Sequence, residues 1–340
     1  MNPKGSKRLP TMSDVARLAG VSRTTVSFVL NNNDISASIP EETKERIQEA
    51  AKKLSYRPNL AAKTLRTSQT HTIGFITDEI ATTPHAVNII KGAQNRAWSD
   101  GKLLLIVNCG SNLAIKEAAI EMMLERQVEG LIYAAMYHQA VELPANIYEA
   151  PAVLLDCFST NRSLPSVVPD EVQGGRTATE VLLAKGHRRI GFINNLDQIP
   201  ASAGRLEGYK QALISNGINF DERLVSYQKS SSAGGYQGTM ELMQLSEPPS
   251  AIFCFSDFMA MGTYDALRKL GLSIPEDVAV MGFDNHELIA SQLYPPLSTM
   301  ELPHAQMGEW AVQFLLEHAG EKLPLVQQTL ECPYIERASI

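Results

Sequence analysis

The side chains with the clearest recognition chemistry lie near the N-terminus, in the segment DVARLAGVSRTTVSFVLN at residues 14 to 31. Its second half predicts a short helix whose apolar residues share one face, Val26, Val29 and Leu30. The opposite face carries a cation, two hydroxyls and an aromatic ring, from Arg23, Thr24, Ser27 and Phe28. These side chains would meet base edges and phosphates if the helix lies in the major groove of DNA with its N-terminal end leading.

A shorter predicted helix precedes this one and is joined to it by a tight turn. Thr11 is the expected N-cap, and Asp14 three residues later completes a capping box. Gly20 ends the helix because the turn needs a residue that tolerates positive φ, and Ser22 caps the next helix. The buried side of the first helix is predicted to comprise Val15, Ala16, Leu18 and Ala19. Two helices joined in this way form a helix-turn-helix.

A third helix is predicted from about Pro40, with two glutamates in its first turn and an apolar stripe at Ile47, Ala50, Ala51 and Leu54. A small helical cap without a DNA role would show the same apolar spacing and is the alternative interpretation. Charge favours DNA binding: residues 1–66 hold twelve Lys and Arg against six Asp and Glu, whereas the whole chain has a net charge of -7. The basic end suits phosphates, and the acidic remainder would be repelled by them.

Length and composition favour a protein of two or three domains. The chain has 340 residues, of which 44% are hydrophobic, so it can bury more than one core. Its N-terminus is basic and polar, without the apolar run of a signal peptide, and we expect a cytoplasmic protein with no membrane partner. Its four cysteines form no CxxC motif and sit in or beside apolar segments, at Cys109, Cys157, Cys254 and Cys332. We expect buried free thiols, with no metal site and no cofactor.

The segment RPNLAAKTLRT, from Arg57 to Thr67, separates the predicted helix-turn-helix from the rest of the chain. It breaks at Pro58 and resumes with good helix formers and basic residues. A plain linker helix is one interpretation. Its position next to a DNA-reading unit favours a hinge, in which Leu65 supplies the apolar side chain of a minor-groove wedge.

From Thr72 onward, apolar strand-like segments alternate with helical ones, including TIGFIT, LLLIVN, GLIYAA, AVLLD, RIGFIN, LVSY, AIFCF and VAVMGFD. This alternation predicts βαβ units and parallel sheets flanked by helices. The number of strands favours two sheet domains side by side, with a ligand crevice at the carboxyl ends of the strands. The fold class is therefore α/β, with an N-terminal helix-turn-helix domain.

The chain resembles the LacI/GalR family of bacterial transcriptional repressors along nearly its whole length. Besides the opening segment, the matching stretches are ETKERIQEAAKKLSYRPNLAAKTLR, GHRRIGFI, GRLEGYKQAL, AIFCFSDFMAMG, LGLSIPEDVAVMGFDN and PPLSTM, in the family's order. The resemblance implies a homodimer that binds double-stranded operator DNA. It also implies a periplasmic-binding-protein-like core that holds a small effector between two lobes. No leucine heptad follows the last predicted strand, so we expect a dimer and not a tetramer.

The resemblance also implies domain boundaries. The helix-turn-helix domain would comprise residues 1–57 and the hinge with its linker residues 58–71. The effector-binding core would comprise residues 72–340, with lobe 1 at about 72–168 and 301–329 and lobe 2 at about 169–300 and 330–340.

In the recognition helix, the family's base-reading positions fall on Arg23, Thr24 and Phe28. Arg23 can pair with guanine, whereas Phe28 replaces the basic residue common there, so the operator sequence stays open. The wedge leucine of the family matches Leu65, with Ala61 and Ala62 allowing close approach. The full set of expected DNA contacts is Thr11, Ser22, Arg23, Thr24, Thr25, Ser27, Phe28, Asn31, Tyr56, Asn59, Ala62, Lys63, Leu65 and Arg66.

In the effector cleft, the resemblance points to two aspartates around an arginine. Asp156 ends the strand AVLLD, Arg205 opens the helix containing AGRLEGY, and Asp284 follows VMGF. An arginine fork between carboxylates suits a polyhydroxylated ligand, and we expect a carbohydrate. The alternative is a structural ion-pair network at the junction of the lobes, because buried charges must be paired in any case.

Other cleft positions depart from well-known members of the family. His85 and Ser230 stand where members often have aromatic residues, so we expect no ring stacking on the effector, although both residues are predicted to line the site with Ser256. Ile199 and Ala201 replace polar groups of purine repressors, which weighs against a purine corepressor. Whether the effector induces or corepresses stays open.

Two other classes of protein are weighed against a repressor. A transport-type binding protein would share the core, but the basic helical segment opposes it. An enzyme would need catalytic signatures, and the chain has no GxGxxG, P-loop, HExxH or GxSxG motif, so no catalytic residues are assigned.

Overall fold

The computed structural model describes residues 10–31, 34–57, 70–78, 80 and 86–340. The chain divides into two compact units, Met1–Thr70 and His71–Ile340, which are described separately. In the described part of the chain, no helix is both long enough and apolar enough to cross a membrane.

The N-terminal unit consists of the helices α1 (Met12–Ala19), α2 (Arg23–Leu30) and α3 (Glu41–Lys53), with a 3-10 turn at Asp34–Ser38. The predicted capping box is present, because Asp14 N donates to Thr11 Oγ1 at 3.3 Å and Thr11 N donates to Asp14 Oδ2 at 2.9 Å. Gly20 adopts the left-handed conformation with φ 66, and Ser22 caps α2. The helix-turn-helix predicted from local signals is confirmed.

The core of this unit is made by the apolar faces of all three helices, and Val15, Val26 and Ile47 are fully buried at its centre. One prediction about this core is wrong. Leu18 is 48% exposed and does not belong to this core cluster. The remaining predicted members of the first helix, Val15, Ala16 and Ala19, are buried.

The second unit contains two six-stranded sheets, as the alternating pattern predicts. The first sheet has the strand order β11-β5-β4-β3-β1-β2 and is parallel throughout. Its strands are β1 (Thr72–Thr77), β2 (Leu103–Asn108), β3 (Leu131–Val141), β4 (Ala152–Ser159), β5 (Ser166–Pro169) and β11 (Gln327–Leu330). Its core is built from apolar residues such as Phe75, Ile132 and Leu155.

The second sheet has the order β12-β10-β9-β8-β6-β7 and is parallel except at its edge, where β12 runs antiparallel to β10. Its strands are β6 (Ile190–Asn195), β7 (Val225–Gln228), β8 (Ala251–Cys254), β9 (Ala279–Asp284), β10 (Ser298–Glu301) and β12 (Tyr334–Ile335). The chain passes from one sheet to the other three times: after β5, after β10 and after β11.

Helices cover both sheets: α4 (Val87–Ser99), α5 (Leu113–Glu125) and α10 (His304–Glu317) in the first lobe, and α6 (Glu171–Ala184), α7 (Pro200–Ser215), α8 (Ser232–Met243) and α9 (Asp257–Lys269) in the second. Asp170, Ser231 and Ser256 are the N-caps of α6, α8 and α9, and each side chain accepts a hydrogen bond from a backbone N–H in the first turn of its helix. The four cysteines are buried free thiols, as predicted.

Candidate functional site

The exposed side of α2 carries the side chains expected to read DNA. Arg23 and Thr24 are exposed, whereas Ser27 and Phe28 are partly buried. Ser22 Oγ accepts a hydrogen bond from Thr25 N at 3.0 Å and lies 2.8 Å from the Thr25 hydroxyl. The N-terminal end of α2 is therefore held in shape while Arg23 and Thr24 extend from the surface.

Three other expected DNA contacts also hold the unit together. Thr11 Oγ1 donates to Asp14 Oδ2 at 2.6 Å, Asn31 Nδ2 donates to Ser27 O at 2.8 Å, and Tyr56 packs against the apolar core. The predicted contacts Asn59, Ala62, Lys63, Leu65 and Arg66, together with Ala61 and the effector residue His85, lie outside the described residues.

The second unit contains a cavity of about 440 Å³ between its two sheets. From the first lobe, the strands β3, β4 and β5 contribute Met136, Tyr137, His138, Asp156 and Pro169. The second lobe contributes the ends of several strands and the first turns of its helices. The lining includes five predicted effector residues, Asp156, Arg205, Ser230, Ser256 and Asp284. Residues from distant parts of the chain therefore meet at one cavity.

Arg205 is held by a carboxylate that was missing from the prediction. Its Nε donates to Glu171 Oε2 at 2.7 Å and its Nη2 to Glu171 Oε1 at 3.4 Å, while Asp284 Oδ1 lies 3.7 Å from Nη1. Nη1 also donates to the carbonyl oxygen of Phe255. Arg205 and Glu171 are both buried, so the charge of the guanidinium is matched by a fork-to-fork ion pair inside the second lobe.

Two aromatic rings also lie close to the guanidinium. Its central carbon lies 3.6 Å from the ring centre of Phe283 and 4.3 Å from that of Phe255. Arg205 does not open its helix as predicted, because α7 begins at Pro200 and places Arg205 in the second turn.

Asp156 enters the cavity from the first lobe. Its strand does not end there as predicted, because β4 continues to Ser159 and pairs again with β3 after a shift in register beyond Ala134. Asp156 adopts a left-handed φ of 56 and is 5% exposed. Within the described residues, its carboxylate makes no hydrogen bond or ion pair. Burial first, and then the negative charge of Glu171, raise the pKa of Asp156 well above its usual range, against the opposing effect of Arg205.

Asp284 lies at the end of β9, as predicted, and burial raises its pKa well above the usual range, although Arg205 opposes this shift. A further carboxylate, Asp257, binds the loop that follows β9 and the neighbouring strand β10. Its Oδ1 accepts from Thr299 Oγ1 at 2.7 Å and its Oδ2 from His286 N at 2.6 Å. Burial raises the pKa of Asp257 to about 7. The second lobe thus concentrates acidic groups behind one wall of the cavity.

Aromatic side chains line the cavity at positions that the sequence analysis did not identify. Tyr137 and Phe258 are 55% and 40% exposed, and Phe258 packs edge to face with His286 at 5.2 Å between ring centres. These rings come from β3 and α9, not from the segments where the resemblance places aromatic residues. No signal in the sequence distinguished them from ordinary core residues.

The cavity serines are partly engaged with the backbone. Ser256 Oγ accepts from Met259 N at 3.3 Å and lies 3.2 Å from Ser230 Oγ, while Ser231 Oγ accepts from Gly234 N at 3.1 Å. These hydroxyls cap α9 and α8 and still have lone pairs or protons for a ligand. In the described residues, no group of His, Cys, Asp and Glu is arranged to hold a metal ion.

Comparison with known proteins agrees with this architecture. Residues 11–59 match the family model described as bacterial regulatory proteins, lacI family, and residues 179–340 match a periplasmic binding protein-like domain. The transcriptional repressor PurR of Vibrio atlanticus is 31% identical over 316 residues, which cover 92% of this chain and 93% of that protein.

Two solved structures cover nearly the whole chain. The lac repressor dimer bound to operator and the anti-inducer ONPF has a TM-score of 0.77 and 26% identity, and covers 98% of this chain and 99% of its own. The regulator CelR in complex with cellobiose has a TM-score of 0.67 and 28% identity, and covers 97% and 99%. The chain belongs to the LacI family of bacterial DNA-binding transcriptional repressors.

Proposed function

We propose that the chain is a dimeric, cytoplasmic repressor whose operator affinity is controlled by a small polyhydroxylated effector, a sugar or sugar derivative. The observation that carries this proposal is the cavity between the lobes, where Asp156 of one lobe faces groups of the other that include Arg205 and Asp284. Its volume of about 440 Å³ is in the range of small-molecule sites. The protein acts by binding, without catalysing a reaction.

The cavity offers the two kinds of group that a sugar needs. The carboxylates of Asp156 and Asp284 accept hydrogen bonds from ligand hydroxyls, and Tyr137 and Phe258 offer flat surfaces to the apolar face of a sugar ring. The solved complex of the similar regulator CelR with cellobiose supports a sugar as the effector.

An effector bound to both lobes favours one arrangement of them. It changes operator affinity only by its differential affinity for the DNA-competent state. Residues 58–71, with Leu65 as the wedge, are the proposed hinge that this equilibrium biases.

An exposed apolar surface on the first lobe supports the dimer, with a second copy of the chain as its occupant. The surface comprises the edge strand β2 and the helix α5, where five large apolar side chains are exposed: Leu103, Ile106, Leu113, Ile115 and Met122. When two copies of the chain associate, the centre of this apolar surface would lose its contact with water. Leu103→Glu should shift the dimer to monomers in light scattering, whereas Glu180→Lys, an exposed change on α6 of the second lobe, should not. An unchanged mass for both variants would contradict this surface.

Operator binding is tested by selecting genomic fragments with the full-length protein at several salt concentrations. A sequence-specific repressor enriches fragments that contain a near-palindromic site. Rising salt weakens its binding to all DNA, but the preference for that site over other DNA remains. A sugar that binds the cavity should then change the affinity for that site, in either direction. Steep salt dependence without any sequence preference would overturn the proposal.

A further inference from the structure

The described wall of the cavity carries more carboxyl groups than cationic groups. Three carboxyl groups line it, from Asp156, Glu171 and Asp284, and Arg205 is the one Lys or Arg among the described lining residues. Glu171 pairs with the guanidinium and Asp284 Oδ1 lies 3.7 Å from its Nη1, so one guanidinium serves two carboxyl groups, and both aspartates also border the ligand space.

Arg205 has little capacity left for a ligand. Nε and Nη2 donate to Glu171, Nη1 donates to the Phe255 carbonyl, and the ring centres of Phe283 and Phe255 lie 3.6 and 4.3 Å from the central carbon of the guanidinium. A guanidinium has five N–H donors, so at least three are already directed into the protein. An anionic ligand would therefore find carboxylates at the wall without a guanidinium edge to bind it bidentately.

Asp156 is the carboxyl group of the cavity wall that has no partner among the described residues. It is 5% exposed, lines the cavity, and makes no hydrogen bond or ion pair with any described residue. A buried carboxyl group without a partner is costly, so it either holds a proton or meets a hydrogen-bond donor or cation supplied by a ligand.

The histidines in the wall do not supply that cation. Burial lowers the pKa of His138 and of His286, so both imidazoles are biased toward the neutral form. His138 Nδ1 is buried and has no hydrogen-bond partner in the described structure. A neutral imidazole can accept a hydrogen bond there, which again favours a ligand rich in donors.

We infer that the effector carries a protonated amine among its hydroxyl groups, held by the carboxylates of Asp156 and Asp284, and that sugars bearing a carboxylate or phosphate are excluded. This inference rests on the proposed effector role of the cavity. The occupant is an amino sugar or a similarly aminated polyol.

The test compares ligands that differ only in charge. D-glucosamine, D-glucose and D-glucuronic acid, with the corresponding galactose and mannose series, are titrated into the full-length protein near neutral pH by calorimetry and thermal shift. At least one amino sugar should bind about tenfold tighter than its parent sugar, the lower end of what close charge pairs contribute, and no uronic acid should bind comparably. The inference would be overturned if the ligand that binds most tightly is neutral or acidic. It would also be overturned if no amino sugar stabilises the protein.

Two variants separate the charge effect from shape. Asp156→Asn should remove the preference for the amine, and Glu171→Gln, which frees the charge of Arg205, should reduce it about tenfold and admit the uronic acid. Glu180→Gln, an exposed change on the same helix as Glu171, is the control and should leave the preference intact. A preference that survives both cavity variants would also overturn the inference. Ligand binding is measured without DNA, so the two proposals can fail separately. If a neutral sugar binds most tightly and alters operator affinity, the inferred amine is wrong, but the proposed repressor function still stands.

Discussion

The helix-turn-helix and the effector cavity differ in how far apart in sequence their polar contacts lie. In the N-terminal unit, Thr11 bonds to Asp14 and Ser22 to Thr25, each pair three positions apart. In the cavity, Arg205 bonds to Glu171 and to the Phe255 carbonyl, which are 34 and 50 positions away. The polar contacts cited for the first region are local caps, whereas those of the second form a buried network that exists only in the folded lobe. Mutations should therefore have small, local effects in one region and large, cooperative effects in the other.

The largest expected effect is that of Glu171→Ala. It leaves the buried guanidinium of Arg205 with Asp284 at 3.7 Å and one carbonyl, so we expect a loss of about 3 kcal/mol in the free energy of unfolding, the lower end for breaking a buried pair. The measurement is urea unfolding followed by tryptophan fluorescence, which reports on the second unit because Trp98 and Trp310 both lie there. Glu180→Ala is the matched control, since it is exposed on the same helix. Similar losses for the two variants would mean that the ion pair is not what holds this wall.

Arg23→Ala tests whether the exposed face of α2 reads bases. Loss of a bidentate contact to guanine should weaken operator binding about 30-fold, or about 2 kcal/mol, and change unrelated DNA much less. Arg17→Ala is the control, because Arg17 is exposed on α1, where it pairs with Asp14 at 3.3 Å. Both affinities are measured by titration at a fixed salt concentration. An equal loss on operator and unrelated DNA would show that Arg23 contacts phosphates only.

Asp156→Asn tests the cost of burying a carboxyl group that has no partner in the described part of the chain. Because folding raises the pKa of Asp156, the folded protein binds more protons than the unfolded chain between the usual value of 3.8 and the raised pKa, and stability falls as pH rises through that window. The slope is at most about 1.4 kcal/mol per pH unit for one group. The variant lacks this penalty, so its advantage over the parent in tryptophan-monitored unfolding should grow with pH. The charges that act on Asp156 come from Glu171, Arg205 and Asp78. If the difference in the free energy of unfolding between the variant and the parent does not change with pH, folding does not raise the pKa of Asp156. The ionised carboxylate would then be in contact with water or a cation.

The same contrast explains what the sequence could predict. The caps of α1 and α2 follow from residue types a few positions apart, so Thr11, Gly20 and Ser22 were identified from their neighbours. Parallel strands that end at one edge, together with the family resemblance, led to Asp156, Arg205 and Asp284 at one cavity. Glu171 could not be found in this way, because it follows Asp170 in an ordinary acidic helix start, and only the packing of α6 against α7 brings it to Arg205.

The smallest expected effect is that of Ser22→Ala at the start of α2. Loss of the 3.0 Å bond from Thr25 N should cost about 1 kcal/mol, the usual value for an N-cap, and the nearby Thr25 hydroxyl cannot cap its own amide. Hydrogen exchange of the amides in the first turn of α2 should become about fivefold faster, while the tryptophan transition of the second unit stays unchanged. Ser13→Ala is the control, because Ser13 is exposed within α1 and is not its N-cap. A shift of the tryptophan transition by Ser22→Ala would show that stability in the reading unit is coupled to the effector lobes, and the division into local and cooperative regions would then fail.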